Sequence, residues 1–376
     1  MIRNNKILLK SKFLLILIIL ISIPIDAQEP RTSFFRGSNI YSGLHLEFWN
    51  WSNVQTLETV LPIYYSMNLD AFFDGLAIDA VTSPTFALTH KEEANTIFGL
   101  AGTKIRTSYN YKNLVIGTFG VQIPTGTNKL SASQTQTVGA IATKQMAFKL
   151  SRFNTGLDMD FTASSSYEIL EDLVLGASLG FLMHGSFTPT EGMKKYNPGN
   201  EFTIALGTDY TIFAMNRKIS LYGDFIWTTY TADEYDKKDV FDAGEKITFN
   251  LRGSIKLNQY FLNMLGITFN SRGNNTNINN DTTVNKIDAG EELLLSNYIY
   301  LLGVKKYSPY AIGKISIYGS NGAKSGSAFI LGMGGGGSLA LAGNISIKAQ
   351  AVLELGSMTG SALIGMELSG GINYVF

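Results

Sequence analysis

Apolar and polar residues alternate with a period of two along most of the chain. The clearest stretch is 246–257. Ile247, Phe249, Leu251, Ile255 and Leu257 share one face with Gly253, and Lys246, Thr248, Asn250, Arg252, Ser254 and Lys256 share the other. A strand sends successive side chains to opposite faces, so this segment has one greasy and one wet side. A helix would scatter the same six polar groups around its circumference. The pattern recurs at 157–164, 173–183, 201–207, 219–227, 345–355 and 366–376. Several of these runs last about ten residues, the length a tilted membrane strand needs.

The connections between runs come in two lengths. Short ones fall at 110–113, 168–172, 213–217, 258–259, 306–308 and 342–344; longer polar ones fall at 124–154, 187–199, 231–244, 273–295 and 320–326. Short periplasmic turns and long external loops are the rule for outer-membrane barrels. The expected fold is therefore all-β, a transmembrane antiparallel up-and-down β-barrel of 14 or 16 strands, occupying residues 43–376. Pro62 makes the second strand marginal, because proline cannot donate to a ladder. A barrel this wide is not filled by its own wall side chains. It must hold a channel, a plug or inward loops.

The N-terminus reads as a targeting segment. Arg3, Lys6, Lys10 and Lys12 precede an apolar run from Phe13 to Ile23, and Ala27 offers a small residue for cleavage. That layout is a secretory signal, and its apolar part is short for a spanning helix. Residues 1–27 are the expected signal peptide, exported by the Sec route. Residues 28–42 are an N-terminal segment that could lie in the lumen.

Composition supports the barrel. Hydrophobic residues make up 45% and charged residues only 16%, with 38 Gly, 18 Tyr and 23 Phe. Soluble domains carry more charge. Without the signal the chain has 26 basic and 29 acidic residues, so no basic excess points to nucleic acid. The absence of cysteine rules out a disulfide framework and lipid attachment through an N-terminal cysteine. The expected location is the outer membrane of a Gram-negative-type bacterium, in contact with lipid and lipopolysaccharide. Tyr260, Tyr298, Tyr300, Tyr307, Tyr310, Trp227 and Tyr230 fall near strand ends, as interfacial girdles require.

Charge on the lipid face costs about 2–4 kcal/mol for Arg or Lys near the midplane. Lys104, Arg106, Arg252 and Lys348, with Lys246 and Lys256, are thus expected to face the lumen, together with Asp158, Asp160, Asp209, Asp224 and Glu354. Such mixed charges either pair and brace the wall or line a solute path. Three external loops end on a Gly followed by acid, at 197–202, 242–247 and 288–293. Turn chemistry accounts for them, with a ring of rim carboxylates as the alternative.

Enzyme chemistry finds little footing. The histidines are His45, His90 and His184. His184 lies near Ser186 at the top of its strand, but a nucleophile needs a base and an orienting third group. The Asn-rich loop 274–281 lacks the spacing of a calcium site. The Gly334–Gly337 run lacks the Lys-Ser/Thr of a phosphate loop and reads as a strand bend or a close approach. No catalytic residue, metal or cofactor is expected.

Two stretches carry a resemblance. Gly102-Thr103-Lys104-Ile105-Arg106-Thr107-Ser108-Tyr109 precedes a short turn, then a strand ending Phe119-Gly120-Val121-Gln122-Ile123-Pro124-Thr125-Gly126. This resembles the outer-membrane proteins of the phenol-degradation meta-pathway, relatives or analogues of FadL-type transporters of hydrophobic compounds. The family's usual Gly-Asp opening is replaced here by Ala101-Gly102. The alternating last strand, with Tyr374 and terminal Phe376, resembles the segment read by the outer-membrane assembly machinery. The resemblance implies passage of small hydrophobic or aromatic compounds, with Pro124, Thr125 and Gly126 leading into an external loop. A general diffusion porin with an open polar lumen and a non-transport surface or structural barrel stay open beside it.

Overall fold

A computed structural model describes residues 37–69, 73–91, 94–127, 129–146, 149, 153, 156–214, 217–279, 282–287, 290–304, 306–320 and 327–376. The expected signal segment, residues 28–36, and parts of the 274–281 and 288–293 loop segments lie outside them.

Sixteen antiparallel strands form one closed barrel. They are β1 (Asn39–Trp51), β2 in two halves (Val54–Val60 and Ile63–Asn68), β3 (Leu76–His90), β4 (Ala94–Tyr111), β5 (Val115–Ile123), β6 (Asp158–Leu170), β7 (Leu173–Met183) and β8 (Glu201–Ala214). The second half is β9 (Arg217–Tyr230), β10 (Lys246–Lys256), β11 (Phe261–Arg272), β12 (Glu291–Leu301), β13 (Tyr307–Tyr318), β14 (Ala328–Ala342), β15 (Ile345–Met358) and β16 (Ser361–Val375). Each strand pairs with its sequence neighbours. The barrel closes where β1 pairs with β16, from Asn39↔Val375 to Trp51↔Leu363. The first strand therefore begins at Asn39, four residues before the expected start of the barrel.

Closure leaves no free sheet edge, which is the condition for crossing a bilayer with strands. The outward face is apolar: Phe119, Phe161, Phe225, Ile247, Phe249, Leu251, Leu353 and Leu368 are all exposed. Phe119, Phe161, Phe181 and Phe202 are direct cross-strand partners and form a row across four strands. A row of exposed aromatics on a closed barrel belongs in lipid. The protein is an outer-membrane barrel. No helix among the described residues is long and apolar enough to cross a membrane.

Pro62 interrupts β2 without shifting its register. Both halves pair with β1 and β3 in the same alignment, and the Pro62 carbonyl still accepts from Gly43 N at 3.0 Å. A second irregularity lies between β3 and β4, at Thr82/Pro84. Gly102 sits in this bulge at φ +81°. One extra residue moves the inward set of β4 from Ile97 to Lys104 and Arg106.

The rim is uneven. Residues 52–53 and 359–360 are two-residue external turns, with Ser52, Asn53, Thr359 and Gly360 all at positive φ. Three of the longer loops instead build a five-stranded external sheet, in the order Thr282–Ile287, Asn275–Asn279, Lys238–Asp242, Asp233–Tyr235 and Tyr196–Asn197. The period-two pattern of the wall contains no hint of this sheet.

Four descending strands begin after a glycine pressed on a neighbouring backbone. An added Cβ would lie 2.0 Å from Gly185 O at Gly156, 1.8 Å from Thr231 O at Gly199, 2.1 Å from Gly273 O at Gly244 and 2.9 Å from Gly319 O at Gly290. The repeated loop ends are thus a rim-packing device, and of the four only Gly290 needs a positive φ.

Candidate functional site: the loop and charged wall of the bore

The longest external loop, 124–157, turns into the barrel. Pro124 ends β5, Thr125 Oγ1 bonds Thr103 Oγ1 at 3.1 Å, and Gly126 passes against the carbonyls of Leu100 and Phe153. A Cβ on Gly126 would lie 2.3 and 2.6 Å from those oxygens. The Pro-Thr-Gly stretch is the point where the chain bends inward.

Beyond it the loop forms a helix, α1 (Ala132–Ile141). Ser131 caps it: Ser131 Oγ accepts from Gln134 N, and the Gln134 side chain accepts from Ser131 N at 2.9 Å. Each end of that reciprocal pair satisfies an orphan donor. The helix packs against the first half of β2, β3 and β4, and Asn95 Nδ2 donates to Gln136 Oε1 at 3.0 Å. Leu130, Ile141, Met146 and Phe153 of the loop are buried in one cluster with Trp49, Ala87 and Ile97 of the wall. Burying side chains of this size contributes about 1.5–3 kcal/mol each. The loop is anchored inside the bore by apolar contact.

A polar anchor accompanies it. Lys149 N donates to Glu58 Oε2 at 2.9 Å, and Glu58 is fully buried. Glu58 is the cross-strand partner of Glu47, and Glu47 that of Glu367. Three carboxylates thus stand side by side on β2, β1 and β16. Glu47 accepts from Trp49 Nε1 at 2.8 Å and lies 3.2 Å from His45 Nε2. Glu367 accepts from Lys314 Nζ at 2.8 Å and from Gln350 Nε2 at 3.1 Å, and Glu354 lies 3.6 Å from Lys314 Nζ. Trp49, β1's partner to Gly365, lies flat over that glycine. Below this network Tyr298, Tyr300 and Tyr310 form a cluster with centroids 5.0–6.4 Å apart, beside Leu262 and Met264. Tyr310 Oη donates to Gln350, which ties the aromatic cluster to the charged one. These three tyrosines share the inward face with Lys314 and are not girdle residues, contrary to expectation. Tyr230 also faces inward, under the Arg272 guanidinium at 5.1 Å. Trp227 does sit outside at the rim, edge-on to Phe202.

The residues expected to line a path are spread over four places. Lys104 and Arg106 meet Asp160 at 2.7 and 3.6 Å across Gly120, whose lack of a side chain admits the carboxylate. Asp224 accepts from Asn250 Nδ2 at 2.7 Å, and Arg252 lies over the Tyr222 ring at 5.6 Å; Asp209 is Tyr222's cross-strand partner. Glu354 belongs to the Lys314 network, while Lys348 is exposed two residues below Gln350 on the same face. Asp158 is at the external rim. His184 Nδ1 lies 3.4 Å from Asp158 Oδ2 and its Nε2 lies 3.3 Å from Glu201 Oε1. These two carboxylates raise the His184 pKa to about 9 against a smaller desolvation effect. His184 therefore serves as a charged clasp between the tops of β6 and β8. Phe376 N donates to Ser38 O at 2.9 Å, and its ring meets Tyr374 edge-on at 4.8 Å, so both close the last seam.

The Glu58–Glu47–Glu367 row, His45 and Lys314 were not singled out from sequence. The signal was available: Leu44-His45-Leu46-Glu47-Phe48 places charge at alternate positions of an apolar strand. What the sequence lacks is the register that sets Glu58, Glu47 and Glu367 in one row.

No family model matches the chain, and no curated protein resembles it in sequence. Among solved structures it is similar to the "CymD monoaromatic hydrocarbon channel", at 9% identity and a TM-score of 0.45, covering 91% of this chain and 89% of that one. It is also similar to OccD1 (OprD), at 11% identity and a TM-score of 0.46 over 91% and 96% of the two chains. A third likeness is to OccK11 (OpdR) of Pseudomonas aeruginosa, at 9% identity and a TM-score of 0.46 over 92% and 99%.

Proposed function

We propose that this outer-membrane barrel is a selective channel that admits small hydrophobic or aromatic solutes. The observation that carries the reading is the inward loop. A loop that narrows a cation-preferring diffusion pore by charge would present carboxylates to the bore. Residues 124–157 contain no Asp or Glu, and Leu130, Ile141, Met146 and Phe153 are buried against the wall. The Tyr298–Tyr300–Tyr310 cluster then supplies aromatic faces further down the bore. Offset and tilted ring contacts are what an aromatic solute would exploit. The resemblance to the phenol-pathway and FadL-type proteins agrees, since its Pro-Thr-Gly stretch is the hinge of the inward loop. Export through residues 1–27 and recognition of Tyr374 and Phe376 by the assembly machinery complete the proposal.

Uptake by porin-depleted cells producing the protein tests it. Entry of labelled toluene is expected to exceed that in cells without the protein, with sugars of similar size excluded, and Tyr298→Ala/Tyr310→Ala is expected to slow it severalfold. Equal entry of sugars and aromatics would make the protein a diffusion porin.

A further inference from the structure

Three cations of the lumen wall stand on carboxylates: Lys104 and Arg106 on Asp160, and Lys314 on Glu354 and Glu367. A couple at the external mouth does not. Lys246 begins β10, Arg272 ends β11, and the two are direct cross-strand partners. Their chain neighbours Ile247 and Ser271 form the next pair, and Ile247 is exposed on the apolar outer face. Lys246 and Arg272 therefore face the lumen, and both stay partly accessible. Among the described residues neither makes an ion pair, and the Lys246 ammonium makes no hydrogen bond. The carboxylates nearest in register are engaged elsewhere. Glu201 lies 3.3 Å from His184 Nε2, Glu292 accepts from Asn270 Nδ2 at 2.7 Å, and Glu245 accepts from Trp227 Nε1 on the outer side at 3.1 Å. Like charges directly opposite each other destabilise a sheet, so a bound anion would relieve this couple.

Arg272 is already held in position. Its Nη2 donates to Tyr230 Oη at 3.1 Å, and the guanidinium carbon lies 5.1 Å from the centre of that ring. Tyr230 is on β9, so the Arg272 side chain crosses β10 to reach it and passes the Lys246 position. The other N–H groups of the fork and the three of the ammonium are left for a ligand. A planar fork beside a point charge matches a carboxylate: two parallel N–H bonds from Arg272 and a third from Lys246, each about 2.7–2.9 Å long. Holding the guanidinium beforehand lowers the ordering cost of binding. Tyr230 also places an aromatic ring beside the anion, where a second ring can make an offset contact. The inward loop adds to the field. Residues 124–157 carry Lys129, Lys144, Lys149 and Arg152 and no Asp or Glu. A solute at the mouth meets positive charge on the loop as well as on the wall, which draws in anions.

We propose that Lys246 and Arg272 form a binding station for small aromatic carboxylates at the external mouth of the bore. It rests on the bore being a solute path but not on that path's preference for uncharged solutes.

The test is calorimetric titration of the full-length barrel, folded in detergent micelles, with sodium benzoate, benzyl alcohol and inorganic phosphate at pH 7. Saturable binding of benzoate, at least tenfold tighter than either of the others, is expected. Arg272→Gln and, separately, Lys246→Gln are each expected to weaken benzoate at least fivefold and to leave benzyl alcohol within twofold. Heat-shifted gel mobility reports whether each variant is folded, and if one does not fold the other decides. Benzoate bound no better than benzyl alcohol, or unchanged in the folded variants, would overturn the station while leaving aromatic passage intact. Phosphate bound as tightly as benzoate would overturn the aromatic carboxylate as its ligand. Benzoate binding that depends on both residues, in a protein that fails to admit toluene, would uphold the station and sink only the uncharged-solute reading.

Discussion

Single side chains in this barrel act mainly by closing gaps between elements that are far apart in sequence. His184 is the clearest case. Its folded pKa is raised to about 9 by Asp158 and Glu201, above the ordinary value of about 6.5. The linkage sign follows: the clasp contributes in full below about pH 6.5, and its contribution is lost as pH rises through about 9. The expected size is about 1–3 kcal/mol, given the mostly buried ring. The heat-induced gel-mobility midpoint of the protein should exceed that of His184→Gln at pH 6.5, and the two should converge by pH 10. A gap that stays constant over that range would contradict the charged clasp. Residue-level reading of the sequence places the charges on the lumen face because their cost in lipid is large. It missed what they contact. Asp158 and Asp160 are two residues apart, yet one serves the rim and the other bridges to Lys104. Only register separates their roles.

At the level of elements, the alternating strands were legible because lipid and lumen impose opposite demands every second residue. Connection length assigns the orientation, long loops outside and short turns inside. The inward loop was not legible. Residues 124–154 read as a long polar connection, although Ser131 and Gln134 carry a capping pair. Whether a short helix forms there depends on burial of Ile141 against the wall, which no local pattern encodes. The aromatic girdle was misread for Tyr298, Tyr300 and Tyr310 because nearness to a strand end does not specify the face; Tyr298 and Tyr300 share the inward parity of Glu292 and Leu294. The loop's hinge yields a prediction at this scale. Gly126→Val forces a side chain into the Leu100 and Phe153 carbonyls. Overpacking of this kind costs about 1–3 kcal/mol, drawn here from loop docking. Trypsin cleavage after Lys129, Lys149 or Arg152 is expected to quicken roughly tenfold in the folded barrel, since cleavage follows the open population. Unchanged protection would show that the loop does not depend on that crossing.

The whole molecule is a closed wall whose two-residue external turns, at 52–53 and 359–360, flank the strands that carry the carboxylate row. The opposite rim is built up by the five-stranded external sheet. A solute arriving from outside meets the inward loop before it meets the bore wall. On the proposed reading the size of the passage is set by the loop and not by the strand count. Planar-bilayer conductance of the folded barrel, compared with a form in which residues 127–155 are replaced by a short Gly-Ser link, tests this most directly. Small or rare openings in the intact protein and large, stable, ohmic steps in the shortened one are the predicted result. Large ohmic steps of the same size in both would mean that the loop does not gate the bore, and would contradict the account.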